Sequence, residues 1–331
     1  MSQNTSRRAQ DIVDFRLLQQ FCDEMTPLGI VICILLMSVE DMGSRFIVLT
    51  CLNFPAYREI GGYTYGRDWG YESEIAPQSW RRKFKNCAGK RQSPINIEVS
   101  KVVVNSSLGR ILLHGFKDKR VYTVKNIGST VLVLPASADP PIKLVSENGE
   151  ERYHFHSLHF HWTSEHAINS QYYSLEAHFV LYNEKYNNMA NAIKYQDGLE
   201  VVSTMFALSP YSMNPRLRVL MDAVAHVLEP DFSVNVTMAL EDILPAYISA
   251  YFRYPGSLTV PTCDEVVTWT MFYPPNYIGL YQLKLFRFLH RLAINSKLDS
   301  WRKLNNRRPL QSLNGRAVQM YATSYAPLYA G

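Results

Sequence analysis

Residues 153–182 read YHFHSLHFHWTSEHAINSQYYSLEAHFVLY and contain six of the nine histidines of the chain. Apolar and aromatic side chains crowd the two ends of this stretch, at Phe155–Trp162 and Ser174–Tyr182. Short segments rich in such residues predict β-strands. We therefore expect two neighbouring strands that carry an unusual number of imidazole groups.

The spacing of three of these histidines favours a metal site. His159 and His161 are two residues apart, so on a strand both rings point to one face. The 16 residues between His161 and His178 are enough for a hairpin that returns antiparallel. Three imidazoles could then converge on one ion and leave a fourth position to water, as in catalytic zinc sites. Glu176 shares the face of His178 and could accept the other N–H of a metal-bound ring.

Other interpretations of the histidine pattern stay open at this point. An HxH pair by itself is weak evidence, because half-buried strand positions often carry a histidine that binds nothing. The five cysteines are not spaced as a zinc cluster. A cupin-like barrel also uses an HxH pair, but it would normally need a more distant histidine and a carboxylate ligand.

The composition is that of a globular protein with enough apolar residues for a substantial core. Apolar residues make up 47% of the chain and charged residues 19%. The net charge of +5 arises from 34 basic and 29 acidic residues without a long basic run, which argues against nucleic-acid binding. Between residues 69 and 316 the pattern predicts a sheet-dominated α+β domain. Further predicted strands are Val121–Val124, Thr130–Leu134 and Val266–Phe272, and the predicted helices are Arg216–Leu228 and Leu280–Leu292.

The first 68 residues differ from the rest and are interpreted as a leader with an N-terminal extension. Two apolar runs, Leu28–Met37 and Phe46–Leu52, are both shorter than the ~20 residues that span a bilayer. The first resembles the core of a signal peptide, although four acidic residues precede it where basic ones are expected. A start at Met42 would make Arg45 and the second run an alternative signal. A buried helix or an unstructured extension would also fit.

Several motifs, taken together and in order, resemble the alpha-type carbonic anhydrases. The resemblance implies one domain over residues 69–316, a large twisted and mainly antiparallel sheet with peripheral helices, and a tail at 317–331. The motifs are WGY (69–71), CAGKRQSPINI (87–97), HFHW (159–162), SEH (164–166), LEAHFV (175–180), DGLEVV (197–202), YPGSLTVPTCDEVVTW (254–269) and NNRRPLQSLNGR (305–316).

This resemblance implies reversible hydration of carbon dioxide to bicarbonate and a proton by zinc-bound hydroxide. The cofactor would be Zn²⁺, held by His159, His161 and His178, with Glu176 accepting from a ligand. Thr259 would donate a hydrogen bond to Glu165, so that its oxygen could only accept from the hydroxide and would orient it. The apolar side of the substrate pocket corresponds to Val180, Leu199, Val201, Leu258 and Trp269.

The chain departs from the family at the position of the proton relay. Fast members carry a histidine there, whereas NIGST (126–130) places Ser129 at that position. Serine does not titrate near neutral pH, so the sequence predicts slow proton transfer that added buffer would rescue. His156 is a candidate substitute, although strict strand alternation points it away from the ligand histidines. Only a local bulge would bring it inward.

Two smaller departures concern the pocket. Val260 follows the threonine where a polar residue is frequent in the family. Ser157 replaces a glutamine that helps to orient the first zinc ligand, so we expect it beside that ligand. Both changes are expected to alter substrate or inhibitor preference and to leave the metal centre in place.

Two cysteines match positions that form a disulfide in extracellular members of the family, which predicts a bond between Cys87 and Cys263. The other three, Cys22, Cys33 and Cys51, lie in the leader and would be removed with it. An even number of cysteines would then remain, which favours secretion. Asn105 and Asn235 are candidate glycosylation sites and support secretion weakly.

The expected partners are carbon dioxide and bicarbonate, with no nucleic acid and no stable membrane span. We expect a monomer and leave a dimer open. Two other functions remain open: a secreted carbonic-anhydrase-like binding protein with low or no hydration activity, and a metal-dependent hydrolase. Loss of a ligand histidine would have favoured the binding protein, and none is lost.

Overall fold

The structure is a computed structural model and describes residues 31–33, 51–53, 68–71, 73–137, 140–293 and 305–323. Most of the predicted leader and the end of the tail, including Cys22 and residues 324–331, lie outside these ranges. The chain divides into two compact units, Met1–Gly62 and Tyr63–Gly331. In the first, β1 (Val31–Cys33) pairs antiparallel with β2 (Cys51–Asn53).

The second unit is built mainly of strands. In chain order they are β3 (Asn96–Ile97), β4 (Val103–Val104), β5 (Ile111–His114), β6 (Arg120–Asn126), β7 (Val131–Pro135), β8 (Lys143–Ser146), β9 (Arg152–His161), β10 (Ala167–Ile168), β11 (Gln171–Tyr172), β12 (Leu175–Asn183), β13 (Leu199–Ser209), β14 (Ser233–Met238), β15 (Ala250–Gly256), β16 (Val267–Gly279) and β17 (Gln319–Ala322). The helices are α1 (Pro77–Lys83), α2 (Met189–Ala192), α3 (Arg218–His226) and α4 (Leu280–Ala293).

Twelve of these strands form one sheet, whose main path runs β14-β6-β7-β9-β12-β13-β16-β15-β17-β4. Most neighbours are antiparallel, while β13 with β16 and β17 with β4 are parallel. The prediction of a sheet-dominated α+β fold with a mainly antiparallel sheet is confirmed. The sheet extends past residue 316, where the sequence analysis ended the domain, because β17 pairs with β15.

Side-chain alternation along the strands divides the core between the two faces of the sheet. On β12, Leu175, Ala177 and Phe179 belong to one apolar cluster. Val180 belongs to a second apolar cluster. Glu176 and His178 share the face of Val180 because side chains two apart point the same way. The second face of β12 therefore combines polar and apolar groups, and Glu176, His178 and Val180 are all buried.

One irregularity interrupts the pairing of β9 with β12. Val180 pairs with Ser157, but the next residue, Leu181, pairs with Phe155, so His156 has no partner of its own. Two residues on one strand then oppose one on the other, which is the arrangement of a β-bulge. The strict alternation used for His156 in the sequence analysis does not hold here.

Three helices contact strands of the large sheet: α2 contacts β12, α3 contacts β14 and α4 contacts β16. In α3 the buried residues are Leu220, Met221, Ala223 and Val224, a spacing that places them on one side of a helix. Among the described residues, no helix is both long enough and apolar enough to cross a membrane.

Candidate metal centre

Three histidines meet on one face of the central sheet. His159 and His178 are directly paired across β9 and β12, and His161 follows two residues after His159. The ring centroids of His161 and His178 are 4.7 Å apart, and that of His159 is 5.1 Å from each. One nitrogen from each ring lies within 4.8 Å of the others. The convergence expected from the sequence is present.

The protonation state of these rings suits a metal ligand. Burial is the largest cause that lowers the pKa of each, to about 3 for His161 and well below the usual value for His159. The pKa of His178 is also lowered by burial, with Glu176 opposing that change. Neutral imidazole is the form that binds metals. Nε2 of His161 is buried and has no hydrogen-bond partner among the described residues, so the site fits a cation such as Zn²⁺.

In His161 and His178, one ring nitrogen forms a hydrogen bond, which leaves the other nitrogen to face the metal site. Nδ1 of His161 lies 2.6 Å from the main-chain oxygen of Asn306. Nε2 of His178 lies 2.8 Å from Oε1 of Glu176. A ring that donates from one nitrogen offers the lone pair of the other to a metal. His161 would therefore bind through Nε2 and His178 through Nδ1.

The carboxylate of Glu176 is fully buried and accepts from several groups at once. Its Oε1 accepts from His178, from Nδ1 of His166 at 2.8 Å and from Oγ of Ser203 at 2.7 Å. Its Oε2 accepts from the main-chain N–H groups of Glu165 and His166. Burial alone would raise the pKa of Glu176, but His166 and His178 hold it well below the ordinary value. This carboxyl group is therefore ionised.

A second buried carboxyl group, that of Glu165, lies close to His161. Oε2 of Glu165 is 3.4 Å from Nε2 of His161, and Oε1 accepts from the main-chain N–H of Arg308 at 2.9 Å. Burial raises the pKa of Glu165 to about 8, against the opposing effects of the Thr259 hydroxyl and Arg308. Thr259 is 4% exposed. The structure thus brings together the threonine and glutamate that the sequence analysis paired.

The predicted pocket residues fall into two groups. Val180, Leu199, Val201 and Trp269 belong to one buried cluster, with Leu258 packed against it. The ring of Trp269 lies 4.8 Å from that of His178. Val260 instead packs against the cluster around the Cys87–Cys263 pair. Gly256 permits the close approach of the strand to Trp269, because a Cβ there would lie 2.7 Å from that ring.

The residues assigned to proton relay and to ligand orientation have other immediate partners. Ser129 is 5% exposed, and its main-chain oxygen accepts from the amide of Asn306 at 2.9 Å. Oγ of Ser157 lies 3.1 Å from Nδ1 of His156. The main chain of His159 takes part in the β9–β12 pairing, but no described residue forms a hydrogen bond with its ring. The orienting role of Ser157 stays a prediction, and the bond to His156 is its observed contact.

The sequence analysis missed residues that hold the ligands in place. Asn306 supports His161, and its side chain also accepts from the main-chain N–H of Trp162 at 2.9 Å. His166 connects Glu176 to Tyr254, whose hydroxyl lies 2.6 Å from its Nε2. His166 belongs to the dense histidine window, which could have identified it. Asn306 lies in the motif NNRRPLQSLNGR (305–316), but nothing in that motif indicated a contact with His161.

The predicted disulfide is confirmed: Cys87 and Cys263 are bonded, with their Cα atoms 4.9 Å apart. The two candidate glycosylation sites differ in their surroundings. Asn235 is exposed on β14, and its Oδ1 accepts from Thr123. Asn105 is half-buried, and its amide nitrogen donates to Gln319.

Comparison with known proteins agrees with this geometry. A family model described as eukaryotic-type carbonic anhydrase matches residues 75–322. Carbonic anhydrase 4 of Oryctolagus cuniculus is 33% identical over 292 residues, covering 82% of this chain and 89% of the relative. Carbonic anhydrase 6 of Canis lupus familiaris is 31% identical over 268 residues, covering 77% and 80%. Carbonic anhydrase 6 of Homo sapiens is 30% identical over 266 residues, covering 76% and 82%.

The sheet and its three-histidine centre define the class of enzyme to which these relatives belong. The chain belongs to the eukaryotic-type carbonic anhydrase family. The resemblance to alpha-type carbonic anhydrases and the assignment of the chain to this class of enzyme are confirmed. Members of the family are zinc enzymes, and the group His159, His161 and His178 could hold such an ion.

Proposed function

We propose that the chain binds one Zn²⁺ through His159, His161 and His178 and catalyses the reversible hydration of carbon dioxide to bicarbonate and a proton. The observation that carries this proposal is the convergence of three neutral imidazoles on one face of the sheet, two of them buried and that of His159 partly buried. Three nitrogen ligands leave a coordination position for water, which distinguishes catalytic from structural zinc sites.

Zinc, when bound there, supplies positive charge that keeps nearby carboxylates ionised and lets water react as hydroxide at neutral pH, as established for carbonic anhydrases. Glu165 then accepts a hydrogen bond from the hydroxyl of Thr259, whose oxygen can only accept from its other neighbour. Thr259 thereby fixes the direction from which oxygen attacks carbon dioxide. The apolar side chains of Val180, Leu199, Val201, Leu258 and Trp269 favour the uncharged substrate.

The proton produced by hydration must pass from the metal site to buffer, and its transfer depends on the residues between the site and solvent. Ser129 cannot take up a proton near neutral pH, so proton transfer to buffer limits turnover. His156 is our proposed substitute. Local alternation from Phe155, which belongs to the first core cluster, points His156 toward the face of the ligands, and the bulge keeps Ser157 on that face as well.

We also propose that the protein acts outside the cytosol, after removal of a leader within residues 1–68, as a monomer. The Cys87–Cys263 bond supports this, because such bonds persist mainly in oxidising compartments. Asn235 is the better candidate for glycosylation because its side chain is exposed. Residues 69–316 would form the main body of the catalytic domain, with β17 of the tail completing its sheet.

Carbon dioxide hydration by the purified protein tests this function. We expect activity in the wild type and in His226→Ala, which removes an exposed histidine outside the site. We expect none above background in His161→Ala. A zinc-loaded, folded wild type without hydration activity would reject the enzyme and favour the binding protein.

A further inference from the structure

Ser203 is not a metal ligand, but its hydroxyl contacts Glu176, the carboxylate that holds the proposed ligand His178. On β13 it pairs directly with His178 on β12, and both side chains point to the same face. Ser203 is 1% exposed, and its Oγ lies 2.7 Å from Oε1 of Glu176. A hydroxyl next to a buried carboxylate must donate to it, because the carboxylate has no proton to give.

The hydrogen bond from Ser203 goes to Oε1 of Glu176, the same oxygen that accepts from the proposed ligand His178. Oε1 of Glu176 also accepts from His166 and His178, each at 2.8 Å, while Oε2 takes two main-chain N–H groups. An ionised carboxylate offers about four lone-pair sites, so five donors exceed its capacity. Each donor withdraws charge from the oxygen, and the donors on Oε1 compete for the same electron density.

Four hydrogen-bond donors would still hold the carboxylate of Glu176 if the Ser203 hydroxyl were removed. Two are main-chain groups and two are imidazoles held in buried rings, so the carboxylate keeps its position without the hydroxyl. The principal effect of Ser203 is therefore on charge. A carboxylate with less charge pulls less on the N–H of His178 and makes that ring a poorer electron donor.

We propose that Ser203 weakens the hydrogen bond from His178 to Glu176 and thereby lowers zinc affinity while making the bound ion more acidic. This inference rests on the proposed function. It assigns Ser203 as a residue that tunes the charge of Glu176 and acts on the metal centre through Glu176 and His178. Its removal should tighten zinc binding and move hydration activity to higher pH.

The test compares Ser203→Ala, Ser203→Thr and Thr204→Val in the full chain. Thr204 is the matched control, since its buried hydroxyl is on the next residue and has no hydrogen-bond partner in the described part of the chain. Zinc affinity and release rate are measured with a chromogenic chelator. We expect Ser203→Ala to bind Zn²⁺ about threefold to tenfold more tightly, less than the ~10–100-fold change that loss of an outer partner produces. Ser203→Thr, which keeps the hydroxyl, and Thr204→Val should stay near the wild type.

Two further readouts separate tuning from a structural role. The pH at which hydration reaches half its maximum should rise in Ser203→Ala and stay unchanged in Thr204→Val. The effect of Ser203→Ala on zinc affinity should shrink in a Glu176→Gln background, where the shared charge is gone. Unchanged or weaker zinc binding in Ser203→Ala, or an effect that persists with Glu176→Gln, would overturn the inference. If the wild type bound no zinc, the proposed function itself would fail.

Discussion

His178 lies directly opposite His159 on the neighbouring antiparallel strand, and the two imidazole centroids are 5.1 Å apart. The same register places Glu176 opposite His161. Two directly opposed pairs of polar residues therefore lie next to each other on β9 and β12. Groups carried by sheet strands are held more precisely than groups on loops, so the geometry suits a metal ion that tolerates little displacement.

Turnover should be limited by proton transfer because Ser129 occupies the relay position. In the wild type we expect the hydration rate to rise with imidazole-type buffer concentration and then level off. Ser129→His should raise the rate at low buffer by about tenfold or more, because a titrating group near neutral pH is supplied. Stopped-flow hydration across a buffer series measures both effects, with Ser129→Ala as the control. A wild-type rate that is constant across that series contradicts this prediction.

His156 should carry part of the remaining proton flow. Burial lowers the pKa of this ring from its ordinary value, so the ring is mostly uncharged at neutral pH and is free to accept a proton. We expect His156→Ala to reduce the hydration rate at low buffer severalfold and imidazole to restore it. His226→Ala should leave the rate unchanged. Equal rates in His156→Ala and the wild type at every buffer concentration would show that the bulge has no role in proton transfer.

Removal of the Thr259 hydroxyl should impair catalysis more than binding of the metal. Thr259→Ala frees the attacking oxygen to rotate, and misorientation of a reacting group can cost about 10²-fold in rate. Thr259→Ser keeps the hydroxyl and should retain most of the activity. The check is the ratio of hydration rate to zinc content for both variants. Equal rates for the two variants would show that the hydroxyl of Thr259 does not orient the attacking oxygen.

A buried ion pair away from the metal should matter for stability. Nη2 of Arg253 lies 3.0 Å from Oε1 of Glu200, whose side chain is fully buried and also accepts from Thr270. Arg253→Met leaves that carboxylate without its cation and should cost about 3–5 kcal/mol in the free energy of unfolding. Adding Glu200→Gln should recover much of this loss. Urea unfolding of the single and double variants measures both effects. If Arg253→Met alone were as stable as the wild type, the ion pair would not contribute to stability.

The sequence predicted the parts of the site that follow from strand periodicity. His159, His161, His178 and Glu176 lie where alternation places them, because both strands are long and regular around them. The bulge at His156 escaped prediction, since one extra residue in a ladder leaves no mark in an alternating pattern.

Support that comes from distant segments was also beyond the sequence. Asn306 reaches His161 from a segment 145 residues away, and Ser203 reaches Glu176 only through the register of β12 with β13. The pairing of β17 with β15 likewise extends the sheet beyond the boundary drawn at residue 316. Such contacts depend on tertiary packing and have no local pattern.

The central claim is that three imidazoles hold one metal ion, and zinc stoichiometry tests it most directly. Elemental analysis after dialysis against Zn²⁺ and buffer should give one zinc per chain in the wild type and in His226→Ala. His159→Ala, His161→Ala and His178→Ala should each lose most of the metal while remaining folded by circular dichroism. A folded wild type without zinc, or three variants that retain it fully, would contradict the account.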